Sequence, residues 1–135
     1  MPPRDSDRSH ILIMDDEEFI RDVAGQIMDH FGYRVSLASK GEEALEKVSH
    51  GLESGERIDL VILDLTIPDG MGARETIAPL LALDPEIKTL ISSGLMDDPL
   101  IQNYEKNGFS GTIAKPYEME EMEETIRKTL QDKHS

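Results

Sequence analysis

Residues 60–64 read LVILD, four consecutive aliphatic side chains followed by an aspartate. A strand without polar alternation must be covered on both faces, as strands are in parallel sheets flanked by helices. Residues 11–14, ILIM, repeat this pattern and also run into acidic residues. These two segments therefore predict the centre of a parallel β-sheet.

Three further apolar segments and five amphipathic segments alternate with these two strands. The other strands are predicted over 35–38, 87–91 and 112–114. Helices are predicted over 19–31, 44–52, 73–81 and 119–130, with one more between the capping residue Asp98 and Gly108. The alternation predicts one α/β domain over residues 10–131, a doubly wound five-stranded parallel sheet with right-handed crossovers. Residues 1–9 are predicted as a flexible lead-in and residues 132–135 as a C-terminal tail.

Two residues set local expectations for the helices. Phe19 opens the apolar stripe of the first helix, so we expect it to pack against the core. Pro79 falls inside the third helix, where a proline removes a backbone N–H. We therefore expect a kink or a later start of that helix.

The composition excludes several classes of function. The 135 residues include no cysteine, which excludes disulfides, thiolate nucleophiles, zinc fingers and iron–sulfur clusters. A net charge of −14 without a basic cluster would repel a phosphate backbone, which disfavours direct binding to nucleic acid. No apolar run approaches the ~20 residues needed to cross a bilayer, and no signal peptide is recognisable. The sequence predicts a cytoplasmic protein without membrane insertion.

Polar residues follow four of the five predicted strands. They are Asp15 and Asp16 after the first strand, Asp64 at the end of the third, Ser92 and Ser93 after the fourth, and Lys115 after the fifth. Ligands of doubly wound folds bind beyond the carboxyl ends of the strands, where all these residues would meet. Each alone could be a helix cap, a turn residue or a solvated strand end. Together they predict a binding site, because separate caps would have no reason to combine complementary charges.

The three carboxylates predict a metal ion at this edge. Clustered carboxylates repel one another unless a hard cation neutralises them, and Mg²⁺ takes oxygen ligands in partly open sites. An amine nearby would then balance a further anion. We expect Mg²⁺, which Mn²⁺ could replace.

The order of these motifs resembles the receiver domain of bacterial and archaeal two-component response regulators. The resemblance rests on Asp15-Asp16, on Asp64-Leu65-Thr66-Ile67-Pro68 with Gly72, on Ser92-Ser93-Gly94 and on Lys115-Pro116. It covers nearly the whole chain after residue 9. It implies a flavodoxin-like (βα)5 fold with strand order 2-1-3-4-5, as in chemotaxis regulators. The loop 68–72, with its extra glycine, is similar to receivers attached to hybrid sensor kinases.

The resemblance implies a role for each site residue. Asp64 would be the phosphoacceptor, taking a phosphoryl group from the phosphohistidine of a sensor histidine kinase or phosphotransfer protein. Asp16, Asp64 and the backbone carbonyl of Thr66 would hold Mg²⁺, and Asp15 would act through a bound water. Lys115 would bring its ammonium to the phosphoryl oxygens, aimed by a cis bond to the following proline. Such a domain catalyses only its own phosphorylation and dephosphorylation.

The resemblance also implies a switch that couples phosphorylation to partner binding. Ser92 would be the hydroxyl that moves to the phosphoryl group. Ser93 is the competing assignment: spacing to the lysine does not separate the two, whereas position directly after the predicted strand favours Ser92. The switch surface would be the fourth helix, fifth strand and fifth helix, with Thr112, Tyr104 and Pro116. Thr112 stands where receivers usually carry Tyr or Phe, so coupling through an aromatic rotamer is not expected.

We expect a phosphorylation-activated module that acts by binding a downstream protein. Two alternatives remain open: a receiver-like binding module that works without phosphorylation, and a Mg²⁺-dependent phosphatase with an aspartate nucleophile. The phosphatase class carries a second carboxylate two residues after its nucleophile. This chain has Thr66 at that position, which argues against a phosphatase.

Overall fold

The computed structural model describes residues 9–94 and 97–131. In chain order, this part contains β1 (His10–Met14), α1 (Glu18–His30), β2 (Arg34–Ala38), α2 (Gly41–Ser54), β3 (Leu60–Asp64), α3 (Ala73–Leu83), β4 (Lys88–Ser93), α4 (Pro99–Gln102), β5 (Gly111–Ala114) and α5 (Met119–Gln131). Apart from Ser9, the predicted lead-in over 1–9 lies outside the described residues, and so does the predicted tail over 132–135. No helix in the described ranges combines the length and apolarity needed to cross a bilayer.

The strands form one parallel sheet in the order β2-β1-β3-β4-β5. β1 pairs with β2 on one side and with β3 on the other. The winding direction reverses between β1 and β3, and the crevice at such a reversal is where ligands bind in open α/β sheets. The predicted doubly wound, flavodoxin-like architecture with strand order 2-1-3-4-5 is confirmed.

Side chains of the central strands divide between two buried clusters. From β3, Leu60 and Ile62 join the cluster under α1 and α5, whereas Val61 and Leu63 join the cluster under α2, α3 and α4. All four side chains are fully buried. Because successive strand residues point to opposite faces, an uninterrupted aliphatic run is stable only between two helix layers.

Helix α1 ends as predicted, but its first turn is more exposed than predicted. Gly32, with φ +86°, takes the left-handed conformation just after the helix, which a glycine adopts without steric cost. Phe19, in the first turn, is 75% exposed and does not pack in the core, so that expectation is wrong. The reason is position: α1 starts at the carboxyl edge of the sheet, where its first turn projects past the strands.

Helix α4 is shorter than predicted. Asp98 caps it as expected, but the helix covers only Pro99–Gln102 and is followed by turns up to Gly108. The Asn103 side-chain amide donates to the Pro99 carbonyl, and the Asn107 amide donates to the Asn103 carbonyl. The same two carbonyls also accept the backbone N–H groups of Asn103 and Asn107, at 3.0 and 3.3 Å.

Helix α3 runs from Ala73 to Leu83 with Pro79 inside it. The expected later start of this helix is therefore wrong. The first turn is held by other contacts: Glu75 Oε1 accepts the backbone N–H of Gly72, and the Thr76 hydroxyl donates to the Gly72 carbonyl. These bonds fix the start of the helix before the proline is reached.

Candidate functional site

Three aspartates meet at the carboxyl edge of the sheet. Asp15 and Asp16 follow β1, and Asp64 is the last residue of β3. One carboxylate oxygen of each lies within 4.8 Å of the other two. Asp15 is fully buried, Asp64 is 7% exposed, and Asp16 is open to solvent. The structure thus brings together the three carboxylates that the sequence predicted to cluster.

Lys115 brings one positive charge to these carboxylates. It follows β5, and its Nζ lies 2.6 Å from Asp15 Oδ2 and 3.3 Å from Asp64 Oδ2. Its backbone N–H donates to the Ser93 carbonyl at 3.0 Å, which ties the lysine to the end of β4. The peptide bond between Lys115 and Pro116 is cis, as the resemblance implied.

Backbone contacts hold Asp15 in place. Its Oδ1 accepts the backbone N–H of Glu17 at 2.9 Å, and its own N–H donates to the Ala38 carbonyl at 3.0 Å. Arg21 donates to its carbonyl at 2.7 Å. With Lys115 at the second oxygen, both oxygens of this buried carboxylate are engaged within the protein.

The site shifts the pKa of two of its members. Burial raises the pKa of Asp64 to about 6; the Asp15 charge adds to this, while Lys115 and the Thr66 backbone N–H oppose it. Burial alone would lower the pKa of Lys115, but the hydrogen bond to Asp15 and the charge of Asp64 outweigh it, so that pKa is raised. At neutral pH the site therefore holds an ammonium beside carboxylates.

An open cleft of about 320 Å³ leads from solvent to this site. Its lining comprises Asp16, Glu17, Asp64, Leu65, Thr66, Pro68, Ser93, Gly94 and Lys115. A larger cavity of about 590 Å³ lies beside Lys88 and Ser110, at the opposite edge of the sheet. Asp16, Asp64 and Lys115 line the smaller cleft, which is therefore the candidate functional site.

The loop after Asp64 is held against the start of α2. The Gly41 N–H donates to the Met71 carbonyl at 2.8 Å, and the Met71 N–H donates to Glu42 Oε1 at 3.0 Å. A Cβ at Gly72 would lie 2.6 Å from the Leu65 carbonyl oxygen, so only glycine allows this close approach. These contacts hold the far end of the loop against α2 and against the Leu65 carbonyl.

The two serines at the end of β4 have different surroundings. Strand β4 extends to Ser93, two residues beyond its predicted end. Ser92 is fully buried, and its Oγ lies 2.6 Å from the hydroxyl of Tyr117. Ser93 lines the cleft together with Asp64 and Lys115. This geometry favours Ser93, the competing assignment, over Ser92 as the hydroxyl that faces the site.

Three residues near the site were not singled out from the sequence. Glu17 lines the cleft, Glu42 holds the loop after Asp64, and Tyr117 contacts Ser92. Glu42 and Tyr117 act through contacts between distant segments, which no local pattern reveals. The available signal for Tyr117 was an aromatic residue two positions after the site lysine.

The predicted switch-surface residues lie outside the charged cluster. Thr112 is in β5, in register with Ile91 of β4. Tyr104 packs against the cluster under α2, α3 and α4 and is partly buried. Pro116 is exposed. Of these residues, Pro116 alone is next to a member of the site.

The donor set fits a hard divalent cation. The site combines three carboxylates with one ammonium, so acidic groups outnumber basic ones. Oxygen ligands of this kind suit Mg²⁺, which keeps several waters and binds through one or two carboxylates. The ammonium of Lys115, beside Asp64, can also meet an anion in the cleft.

The chain is similar to known proteins over almost its full length. The family model described as "Response regulator receiver domain" matches residues 11–127. Sporulation initiation phosphotransferase F of Bacillus subtilis is 32% identical over 120 residues, covering 89% of this chain and 92% of that protein. The chemotaxis protein CheY of Thermotoga maritima is 29% identical over 119 residues, covering 87% of this chain and 94% of that one.

A solved structure agrees with this similarity. The CheY-like response regulator receiver domain protein of Methanospirillum hungatei superposes with a TM-score of 0.79 at 28% identity, covering 91% of this chain and 94% of that one. Fold, acidic cluster and sequence similarity point to the same family. The chain is therefore a response regulator receiver domain, a signalling domain of two-component systems.

Proposed function

We propose that this receiver domain accepts a phosphoryl group on Asp64 from a phosphohistidine, in a Mg²⁺-dependent reaction that switches a protein-binding surface. One observation carries the proposal: the Asp64 carboxylate lines an open cleft, with an acidic partner and the Lys115 ammonium beside it. Phosphoryl transfer needs positioning and charge neutralisation more than covalent machinery. This site supplies both.

Asp64 acts as the nucleophile. Its carboxylate oxygen attacks phosphorus, the new O–P bond makes an acyl phosphate, and the P–N bond of the donor breaks with its electron pair going to the imidazole. With a pKa of about 6, the carboxyl group is mainly ionised above pH 7. The donor must enter the cleft, because the remainder of Asp64 is buried.

Mg²⁺ would be held by Asp16, Asp64 and the Thr66 carbonyl. When bound, it neutralises charge on the transferring phosphoryl oxygens. Asp15 would act through a bound water, which fits its engagement with Glu17 and Lys115. The loop contacts of Met71 hold the Thr66 segment ready for this role.

Lys115 and Ser93 would meet the phosphoryl group from the other side. Lys115 Nζ already lies 3.3 Å from Asp64 Oδ2, so a short movement brings it to a phosphoryl oxygen. Ser93 lines the same cleft and offers a hydroxyl at the end of β4. We infer that Ser93, rather than Ser92, is the switch hydroxyl that draws the segment toward α4 inward.

The partners follow from this chemistry. The phosphoryl donor would be a sensor histidine kinase or a phosphotransfer protein, in line with the phosphotransferase name of one relative. The output partner would be a downstream protein that binds the surface of α4, β5 and α5, including Tyr104, Thr112 and Pro116. The domain would catalyse only its own phosphorylation and dephosphorylation, and it would act in the cytoplasm.

The decisive experiment is intact-protein mass spectrometry after incubation with acetyl phosphate and Mg²⁺. We expect the mass of one phosphoryl group to be added to the wild-type protein, and none in Asp64→Asn or in the presence of EDTA. The acyl phosphate can hydrolyse before it is detected, so a second sample contains beryllofluoride, a stable mimic of the phosphoryl group. Beryllofluoride should shift the amide signals of Ser93 and Lys115. An absent adduct together with unchanged amide signals would contradict the proposal and favour a phosphorylation-independent binding module.

A further inference from the structure

The hydroxyl of Tyr117 makes a buried contact that the proposed function leaves without a role. Its oxygen lies 2.6 Å from Ser92 Oγ, and Ser92 is fully buried. The Tyr117 ring packs against the cluster under α1 and α5. Removing one of two buried, hydrogen-bonded hydroxyls is costly, because the other hydroxyl then has neither its partner nor water to bond.

This bond belongs to a set of contacts that joins two loops of the site. The Ser92 carbonyl accepts the backbone N–H of Leu65, next to Asp64, at 3.0 Å. The Ser93 carbonyl accepts the backbone N–H of Lys115, also at 3.0 Å. The end of β4 therefore touches both the segment that carries Asp64 and the segment that carries Lys115. The Tyr117 hydroxyl adds a second point of attachment for the lysine segment.

Two attachment points restrict the lysine segment more than one. Residues 115–117 are held to β4 by the Lys115 backbone N–H at one end and by the Tyr117 hydroxyl at the other. Between these points lies the Cα from which the Lys115 side chain reaches Asp15 and Asp64. Loss of the hydroxyl would remove one of these two attachments and leave the backbone bond of Lys115.

We propose that Tyr117 is a positioning residue: its hydrogen bond to Ser92 holds Lys115 where the ammonium can meet a phosphoryl group on Asp64. This inference rests on the proposed function. Tyr117 touches no reacting atom. Its role is separate from metal binding, because its hydroxyl contacts Ser92, which is not among the proposed Mg²⁺ ligands.

The test compares Tyr117→Phe with Tyr33→Phe. Both changes remove one hydroxyl from a partly buried tyrosine. The Tyr33 hydroxyl instead donates to Glu123, and Tyr33 precedes β2, the outer strand farthest from β5. Two affinities are measured for each variant by amide chemical shifts. One is the affinity for Mg²⁺ alone, and the other is the affinity for beryllofluoride at saturating Mg²⁺. We expect Tyr117→Phe to weaken beryllofluoride binding between about two- and tenfold, the value of one hydrogen bond, without change in Mg²⁺ affinity. Tyr33→Phe should change neither.

A second variant checks that the bond itself is responsible. Ser92→Ala removes the same hydrogen bond from its other partner, and the double variant with Tyr117→Phe should lose no more affinity than either single variant. Additive losses would overturn the proposal, as would unchanged beryllofluoride affinity in both single variants. A parallel loss of Mg²⁺ affinity in the folded variants would also overturn it, because it would indicate general loosening. Failure of the wild-type protein to bind beryllofluoride would instead count against the proposed function.

Discussion

Asp64 combines burial with a neighbouring negative charge, so its ionisation opposes folding. Its pKa is raised to about 6 in the folded protein, while an unfolded aspartate has its ordinary value of 3.8. The contribution of this carboxyl group to the free energy of unfolding is fully present below pH 4, where the group is protonated. It is lost as the pH rises from 4 through 6. At neutral pH the metal-free protein is therefore less stable than it would be with an uncharged group at this position.

Asp64→Asn should stabilise the metal-free protein at neutral pH. The amide has no charge to bury, so we expect a gain on the order of 2 kcal/mol at pH 7.5, which follows from the raised pKa. The gain should vanish near pH 4, where the wild-type carboxyl group is already protonated. Thermal unfolding in EDTA across this pH range measures it. A gain that is constant with pH would contradict the assignment to ionisation.

Lys115→Ala should separate phosphoryl uptake from switching. The proposed nucleophile and metal ligands remain, so we expect acetyl phosphate still to add one phosphoryl group. The amide shifts of α4, β5 and α5 that follow in the wild type should be absent, because no ammonium draws the phosphoryl group toward the lysine segment. Mass spectrometry measures phosphoryl uptake, and amide spectra of the same sample measure the conformational response. A wild-type shift pattern in the variant would count against this role.

At the scale of elements, the loop after β3 is shaped by glycine at its contact with α2. A Cβ at Gly41 would lie 2.0 Å from Thr76 Oγ1 and 2.9 Å from the Met71 carbonyl oxygen. Contacts this short require α2, α3 or the loop to move. The loop carries Thr66 and Pro68 into the cleft, so its position bears on the site as well as on stability.

Gly41→Ala should destabilise the protein by about 1–3 kcal/mol, because the added methyl group overpacks a closed contact. Gly25→Ala, in the middle of α1, is the matched control. Its Cβ would meet its nearest neighbour at 3.8 Å, an ordinary contact. That variant should gain about 0.5–1 kcal/mol from helix propensity. Urea unfolding measures both, and destabilisation of equal size in the two variants would contradict the packing argument.

At the scale of the whole molecule, the position of Phe19 bears on recognition by the phosphoryl donor. Its ring is 75% exposed in the first turn of α1, close in sequence to Asp16 and Glu17 at the cleft. The proposed protein donor would approach Asp64 past the first turn of α1, whereas acetyl phosphate needs only the cleft. Exposed aromatic side chains are favoured as anchors in protein interfaces.

Phe19→Ala should therefore slow phosphorylation by a protein donor about fivefold or more, the loss expected for an interface anchor. The rate with acetyl phosphate should not change. The donor is a histidine kinase that phosphorylates the wild-type chain, and transfer is followed by mass spectrometry. Leu83→Ala, 40% exposed at the far end of α3, is the control. Equal effects of the two variants, or a loss with acetyl phosphate, would contradict docking at Phe19.

The sheet and the residue types of the site follow from local sequence patterns. The runs LVIL and ILIM require two helix layers, because both faces of those strands are apolar. Alternation of strands and helices then requires parallel pairing, which gathers Asp15, Asp64 and Lys115 at one edge. These conclusions needed no contact between distant residues beyond what chain order and strand twist impose.

Local sequence patterns do not show which neighbouring residues face the cleft and which face the core; this depends on the folded chain. Ser92 and Ser93 are adjacent on a strand, so their side chains point to opposite faces, and the extension of β4 to Ser93 changes which hydroxyl meets the site. Phe19 fits the apolar period of α1 but lies past the strands. The Tyr117 contact with Ser92 joins residues 25 apart. Local pattern specifies periodicity, whereas strand ends and distant contacts depend on how the finished elements pack.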